Sequence, residues 1–248
     1  MRDFITGLQF LTTIRLWPET EWSSERFGRS VRYFPLIGAV IGLVLTGGYL
    51  LLAPWLPSHL LAALFIVGSI VLTGGLHCDG FMDTMDGLFS GRSPERMLEI
   101  MKDSRVGANG VVAFVCLILL KWSIFLDFPA TALPHALFAA PVVGRTAMVV
   151  AITAFPYARP QGIGKLFAEF AGGSTLVIAG ISGVAMLSMS GWIVLGAGLS
   201  ALISGVLFAR FASKRLGGLT GDLYGAVTEI TELSFLLLAL LVANLTII

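Results

Sequence analysis

The sequence predicts an all-α, polytopic integral membrane helical bundle. It should have about seven transmembrane helices (six to seven) and an N-terminal interfacial amphipathic helix. Three observations predict this. Only 12% of the 248 residues are charged and 56% are hydrophobic, whereas a soluble domain carries about 25% charge. Apolar stretches of spanning length recur along the chain. The basic residues collect in alternate connections between them. A net charge of +1 argues against a nucleic-acid partner; the lipid bilayer is the expected partner surface. Cys78 and Cys116 show neither zinc nor redox spacing. No cleavable signal peptide is evident, and residues 1–248 read as a single integral membrane domain.

Residues 3–17 are too short and polar to span. Arg2, Asp3, Thr6, Gln9, Thr12 and Thr13 recur at helical spacing against Phe4, Ile5, Leu8 and Leu11, the pattern of a helix lying at the headgroups. A polar stretch with Arg26, Arg29 and Arg32 follows. Crossing a roughly 30 Å hydrocarbon core takes about 20 apolar residues. Seven segments qualify or nearly do: 34–55, 59–77, 110–127, 134–155, 174–189, 191–211 and 231–248. The fifth is short and joins the sixth at Ser190 and Gly191, so six spans plus a re-entrant segment also fit. With seven, fourteen of the sixteen Lys and Arg residues fall on one side. The positive-inside rule makes that side cytoplasmic, with the N-terminus in and the C-terminus out. Lys121 and Arg145 sit halfway along their spans, where a charge facing lipid is costly. Either they line a polar cavity, or they snorkel from a shifted span boundary.

The stretch 74–110, GGLHCDGFMDTMDGLFSGRSPERMLEIMKDSRVGANG, interrupts the apolar pattern and holds six of the fifteen carboxylates. On a helix Asp79, Asp83 and Asp86 share one narrow face, where like charges repel. Hard oxygen donors without a His pair suit Mg²⁺ or Mn²⁺. His77 reads as a supporting or structural group. Ser93 and Pro94 suit the N-cap and first position of a helix over 94–105. There Glu95, Glu99 and Asp103 form a second acidic face, or a solvated surface. Arg105 and the glycines after it suit close approach to phosphate oxygens. Two further polar clusters belong to the same side: the loop 159–165 with Arg159 and Lys165, and GGLTGDLYGAVTEITE over 217–232. The latter places Asp222, Glu229 and Glu232 on one arc if helical. Acidic ligands, cytoplasmic arginines and Gly-rich turns suggest phosphoryl transfer, where positioning and charge stabilisation dominate.

The central stretch, together with GGLTGDLYGAVTEITE, LQFLTTIRLWP and ARPQGIGK, resembles the cobalamin synthase (adenosylcobinamide-GDP ribazoletransferase) family from end to end. That resemblance implies a Mg²⁺-dependent enzyme of the bacterial cell inner membrane, working late in coenzyme B12 biosynthesis. It would transfer the cobinamide-phosphate part of adenosylcobinamide-GDP to the 5′-hydroxyl of α-ribazole, or to α-ribazole 5′-phosphate. The products would be adenosylcobalamin, or its 5′-phosphate, and GMP. A looser similarity links Asp83-Thr-Met-Asp86-Gly87, with Glu99 and Asp103, to the CDP-alcohol phosphatidyltransferases, the main alternative. A transporter using Lys121, Arg145 and Glu232 is a further one, disfavoured because the polar residues face one side.

The expected site follows from residues and resemblance together. Asp79, Asp83, Asp86, Glu99 and Asp103 are the expected metal ligands, with Asp83 or Asp103 as general base. Arg92, Lys102, Arg105, Arg145 and Arg159 would bind the pyrophosphate. Asp222, Glu229 and Glu232 would contact the nucleoside or the ribazole. A homo-oligomer is compatible with all of this.

Overall fold

The computed structural model describes residues 2–17 and 23–247; residues 18–22 of the polar stretch and Ile248, the last residue of the seventh predicted span, lie outside the described residues. The described chain is all-α, and its one β-type contact is an isolated bridge between Tyr157 and Leu219. Helices α1 (Arg2–Leu11) and α2 (Ser24–Ser30) lead through a 3₁₀ turn into α3 (Phe34–Leu52). Then come α4 (Ser58–Thr73), α5 (Leu76–Leu88), α6 (Pro94–Ile100), α7 (Ala108–Asp127) and α8 (Leu133–Ala154). The chain closes with α9 (Ile163–Phe170), α10 (Gly173–Ser188), α11 (Trp192–Leu216) and α12 (Gly221–Ile247).

Among the described residues, five helical segments are long and apolar enough to cross a membrane: α2–α3 taken together, α7, α8, α11 and α12. Two bent pairs raise the number to seven: α4 with α5 at 93°, and α9 with α10 at 95°. The first bend is built by Gly74 and Gly75, with φ of 62° and 72°, a left-handed conformation that residues with a side chain rarely take. Past this bend α5 carries three aspartates. We read α4 and α10, 16 residues each and so about 24 Å long, as the spanning limbs. On that reading α5 and α9 lie outside the spans.

Helix α8 is buried almost throughout, with α3, α10, α11 and α12 packed around it. Small residues allow this packing, as is usual between membrane helices. A Cβ on Gly38 would stand 2.4 Å from the Pro141 carbonyl oxygen, and one on Gly42 2.3 Å from that of Phe138. The outer faces of α7 and α11 expose Val112, Leu119, Ile203 and Leu207, as lipid-facing surfaces should.

Three features differ from expectation. The α1 helix forms, but Thr6, Gln9 and Thr12 of its polar set are buried. Gln9 Oε1 accepts from the backbone N–H groups of Leu16 and Trp17, folding the chain back over α1. The helix expected over 94–105 stops at Ile100; Lys102 N–H and Asp103 N–H close three-residue turns onto Glu99 and Ile100. Asp103 therefore leaves the face it was expected to share with Glu99. The last helix starts ten residues before the predicted span, so 221–232 is helical, the condition on which the three acids were expected to share an arc. Asp222 stands at its first turn, with Glu229 and Glu232 about 10 and 15 Å further along it.

Candidate active site

The site begins where α5 crosses the start of α12. A Cβ on Gly80 would lie 2.7 Å from the Asp222 carbonyl oxygen, and one on Gly225 3.1 Å from that of His77. Backbone contact at this crossing brings Asp79 and Asp83 beside Asp222. Arg159, from the α8–α9 connection, pairs with Asp222 at 2.8 Å. The connection is held in place by the bridge of Tyr157 to Leu219 and by the bond from Ala158 N–H to the Leu219 carbonyl. Asp83 is half-buried. Burial, then Asp79, Asp222 and Asp86, push its carboxyl up to about 7, against the pull of Arg159. A carboxylate in this position favours a proton or a cation nearby.

The other expected ligands are engaged elsewhere. Asp86 spans to the start of α7, where its oxygens accept from Gly107 N–H at 2.7 Å and Gly110 N–H at 2.8 Å. It thus satisfies amide donors that a helix N-terminus leaves open. A Cβ on Gly107 would come within 2.4 Å of Asp86 Oδ1. Glu99 pairs with Arg96 at 2.7 Å on an exposed surface. The side chain and backbone N–H of Arg105 hold the Asp103 carboxyl down at about 2. Ser93 is the N-cap residue as expected and Pro94 opens α6, but the Ser93 hydroxyl bonds Glu95 instead of a backbone N–H. The expected five-carboxylate set does not assemble. Among the described residues no three His, Cys, Asp or Glu side chains gather as a metal-binding group.

The basic residues also divide. Arg159 stands at the carboxylates. Arg92, Lys102 and Arg105 are exposed on the connections flanking α6. Arg145 is buried with Lys121 among the helices, and these two do not reach lipid. Lys121 Nζ lies 2.6 Å from Glu229 and 3.3 Å from Glu232. Arg145 pairs with Glu232, and its Nη2 lies 3.3 Å from His77 Nδ1. Two cations thus meet two anions in the core. The expected Asp222–Glu229–Glu232 cluster is split: Asp222 belongs to the α5 crossing, while Glu229 and Glu232 neutralise the mid-span charges. The Cys78 thiol lies 3.7 Å from Glu229, at the edge of this network.

A cleft of about 250 Å³ opens beside Asp79, Arg159 and Asp222. Tyr157 and Tyr224, neither of them singled out in the sequence, line it with His77. Their signal was indirect: Tyr157 is flanked by the basic loop, and Tyr224 lies between Gly221 and Gly225, where backbones approach.

The family profile described as Cobalamin-5-phosphate synthase matches residues 3–240. A relative from Desulfitobacterium hafniense (strain Y51), named adenosylcobinamide-GDP ribazoletransferase, is 41% identical over 244 residues, 96% of each chain. Relatives of the same name come from Desulforamulus reducens, 40% identical over 95% of this chain and 94% of its own, and from Acetivibrio thermocellus, 36% identical over 96% and 97%. No solved structure matches the chain. A helical bundle with an aspartate-lined crossing, matched along almost its whole length, therefore belongs to the cobalamin-5-phosphate synthase family.

Proposed function

We propose that the protein carries out the adenosylcobinamide-GDP ribazoletransferase reaction for which its relatives are named. The site would lie on the cytoplasmic side of a bacterial inner membrane. The observation that carries this reading is the crowding of Asp79, Asp83 and Asp222 beside Arg159. A Mg²⁺ ion fits these donors: it is commonly held by one or two carboxylates and completes its shell with water and substrate phosphates. Asp79 and Asp222 would hold it, and when bound it would offset charge developing on the pyrophosphate oxygens.

The remaining chemistry falls to the chain's own residues. A ribose hydroxyl attacks the phosphorus nearer cobinamide. A new P–O bond forms, the bond to the bridging oxygen breaks, and GMP leaves with that oxygen. The two acceptors considered share only ring hydroxyls, because one carries phosphate on O5′. We therefore place the attack on a ring hydroxyl instead of the 5′-hydroxyl. Asp83, near neutrality, suits the task of taking the hydroxyl proton; Asp103, held at about 2, is a poorer base. Arg159 orients a phosphate oxygen. Arg92, Lys102 and Arg105, exposed beside the site, supply a positive field for an anionic donor.

The test uses purified protein with adenosylcobinamide-GDP, α-ribazole and Mg²⁺. GMP release that stops with chelator is expected. Release of CMP from CDP-diacylglycerol, with no GMP from the cobinamide donor, would overturn the reading. Undiminished GMP release in chelator would overturn the metal assignment.

A further inference from the structure

Five buried side-chain atoms have no hydrogen-bond partner among the described residues: His77 Nε2, Thr84 Oγ1, Arg145 Nε, Arg159 Nε and Tyr224 OH. Three of their residues, His77, Arg159 and Tyr224, line the single 250 Å³ cleft beside the α5–α12 crossing. A buried polar atom left unpaired costs about 1–3 kcal/mol, so three around one cleft point to a ligand that pairs them.

The state of His77 can be assigned. Its Nδ1 faces Arg145 Nη2 at 3.3 Å. A guanidinium donates and cannot accept, so Nδ1 is the acceptor. In the neutral ring the proton then sits on Nε2. His77 and Tyr224 both line the cleft, and they keep an unpaired N–H and an unpaired hydroxyl beneath its wall. Opposite chemistry comes from Phe10, Leu11, Met148 and Phe167, which also line it; the rings of Phe10 and Phe167 meet at 5.0 Å, edge to face. Charge separates the two substrates. Asp79, Asp222 and Arg159 are the residues given above to the metal and the pyrophosphate; the rest of the lining, including Phe10, Phe167, His77 and Tyr224, carries no charged side chain and is left for an uncharged group. The volume has no room for a corrin. An uncharged nucleoside with a flat, methylated heterocycle and ribose oxygens meets every requirement.

We propose that this cleft is the acceptor subsite, seating the ribazole heterocycle against Phe10 and Phe167 and its ribose against His77 and Tyr224. This rests on the transferase reading above. His77 and Tyr224 are then specificity residues for the acceptor, and the donor comes from the side of Arg92, Lys102 and Arg105, with only its pyrophosphate reaching Arg159, Asp79 and Asp222.

The experiment uses the full chain in nanodiscs. Calorimetry measures α-ribazole binding without donor; steady-state GMP release gives KM for each substrate. Tyr224→Phe removes a hydroxyl that no described residue holds, so its Tm should be unchanged or raised. Its Kd and KM for α-ribazole should rise about tenfold, with the donor KM unchanged. His77→Gln, which keeps an N–H within reach, should bind α-ribazole more tightly than His77→Phe. A raised donor KM with an unchanged acceptor KM in Tyr224→Phe would put the nucleotide in the cleft and overturn the proposal. So would unchanged values for both substrates. Absence of GMP release by the wild type would defeat the transferase reading alone, because α-ribazole binding weakened by Tyr224→Phe would still support the cleft assignment. Turnover in the wild type, with α-ribazole binding that Tyr224→Phe does not weaken, would defeat the cleft assignment alone.

Discussion

A carboxylate beside other carboxylates resists ionisation, and Asp83 meets Asp79, Asp222 and Asp86 in a half-buried position. Its pKa of about 7 lies above the ordinary Asp value of about 3.9. Between those pH values the folded chain keeps a proton that the unfolded chain releases. Stability of the metal-free protein should therefore fall as pH rises from about 4 to about 7 and level off above. Asp83→Asn removes the charge and its pH dependence. In chelator at pH 8 the variant should melt a few degrees above wild type, by scanning fluorimetry in detergent. The same variant should release GMP at least about a hundredfold more slowly, the usual weight of a general base. A lower Tm with wild-type turnover would show that Asp83 is neither strained nor catalytic. Asp103 and Glu99 illustrate how spacing misled: a four-residue interval implies a shared face only while the helix lasts, and α6 ends at Ile100.

Helices announce themselves locally and their crossings do not. Each predicted span coincides with an observed helix to within about five residues, apart from the early start of α12, because lipid demands long apolar runs that are visible without knowledge of partners. The α5 acidic face was legible for the same reason: Asp79, Asp83 and Asp86 repeat at helical spacing. What could not be read was that α5 meets the first turn of α12, more than 130 residues away, and that Asp86 turns to cap α7. Gly80 decides the first of these. Adding a methyl there requires α5 and α12 to separate by several tenths of an ångström, since the Asp222 carbonyl would be 2.7 Å away. Gly80→Ala should destabilise the protein by about 1–3 kcal/mol, the usual cost of overpacking. It should also reduce turnover more than Gly47→Ala, whose Cβ meets nothing within 4 Å. Equal effects of the two changes on turnover would show that this contact does not position the aspartates.

At the scale of the whole bundle, one neutral group of charges ties α5, α7, α8 and α12 together. In the sequence Lys121 and Arg145 read as lining a polar cavity or snorkelling, with Arg145 expected at the pyrophosphate. The fold explains them through Glu229 and Glu232, which the earlier start of α12 carries to their depth. The seven-span reading puts the N-terminus and C-terminus on opposite sides, so reporter fusions at the two ends should report opposite compartments; the same compartment would reject an odd span count. Inside that bundle, removing one member strands its partner's charge. Breaking a buried pair from one side typically costs about 3–5 kcal/mol. Lys121→Met should therefore lower Tm sharply. Lys121→Met with Glu229→Gln removes one charge of each sign and should recover a substantial part of the loss, because Arg145 still balances Glu232. If the pair is structural, the recovered double variant should also regain turnover, with Asp79, Asp83 and Arg159 untouched. Recovery of Tm without turnover would instead assign Lys121 or Glu229 to the chemistry, since the fold would be restored and the site would not.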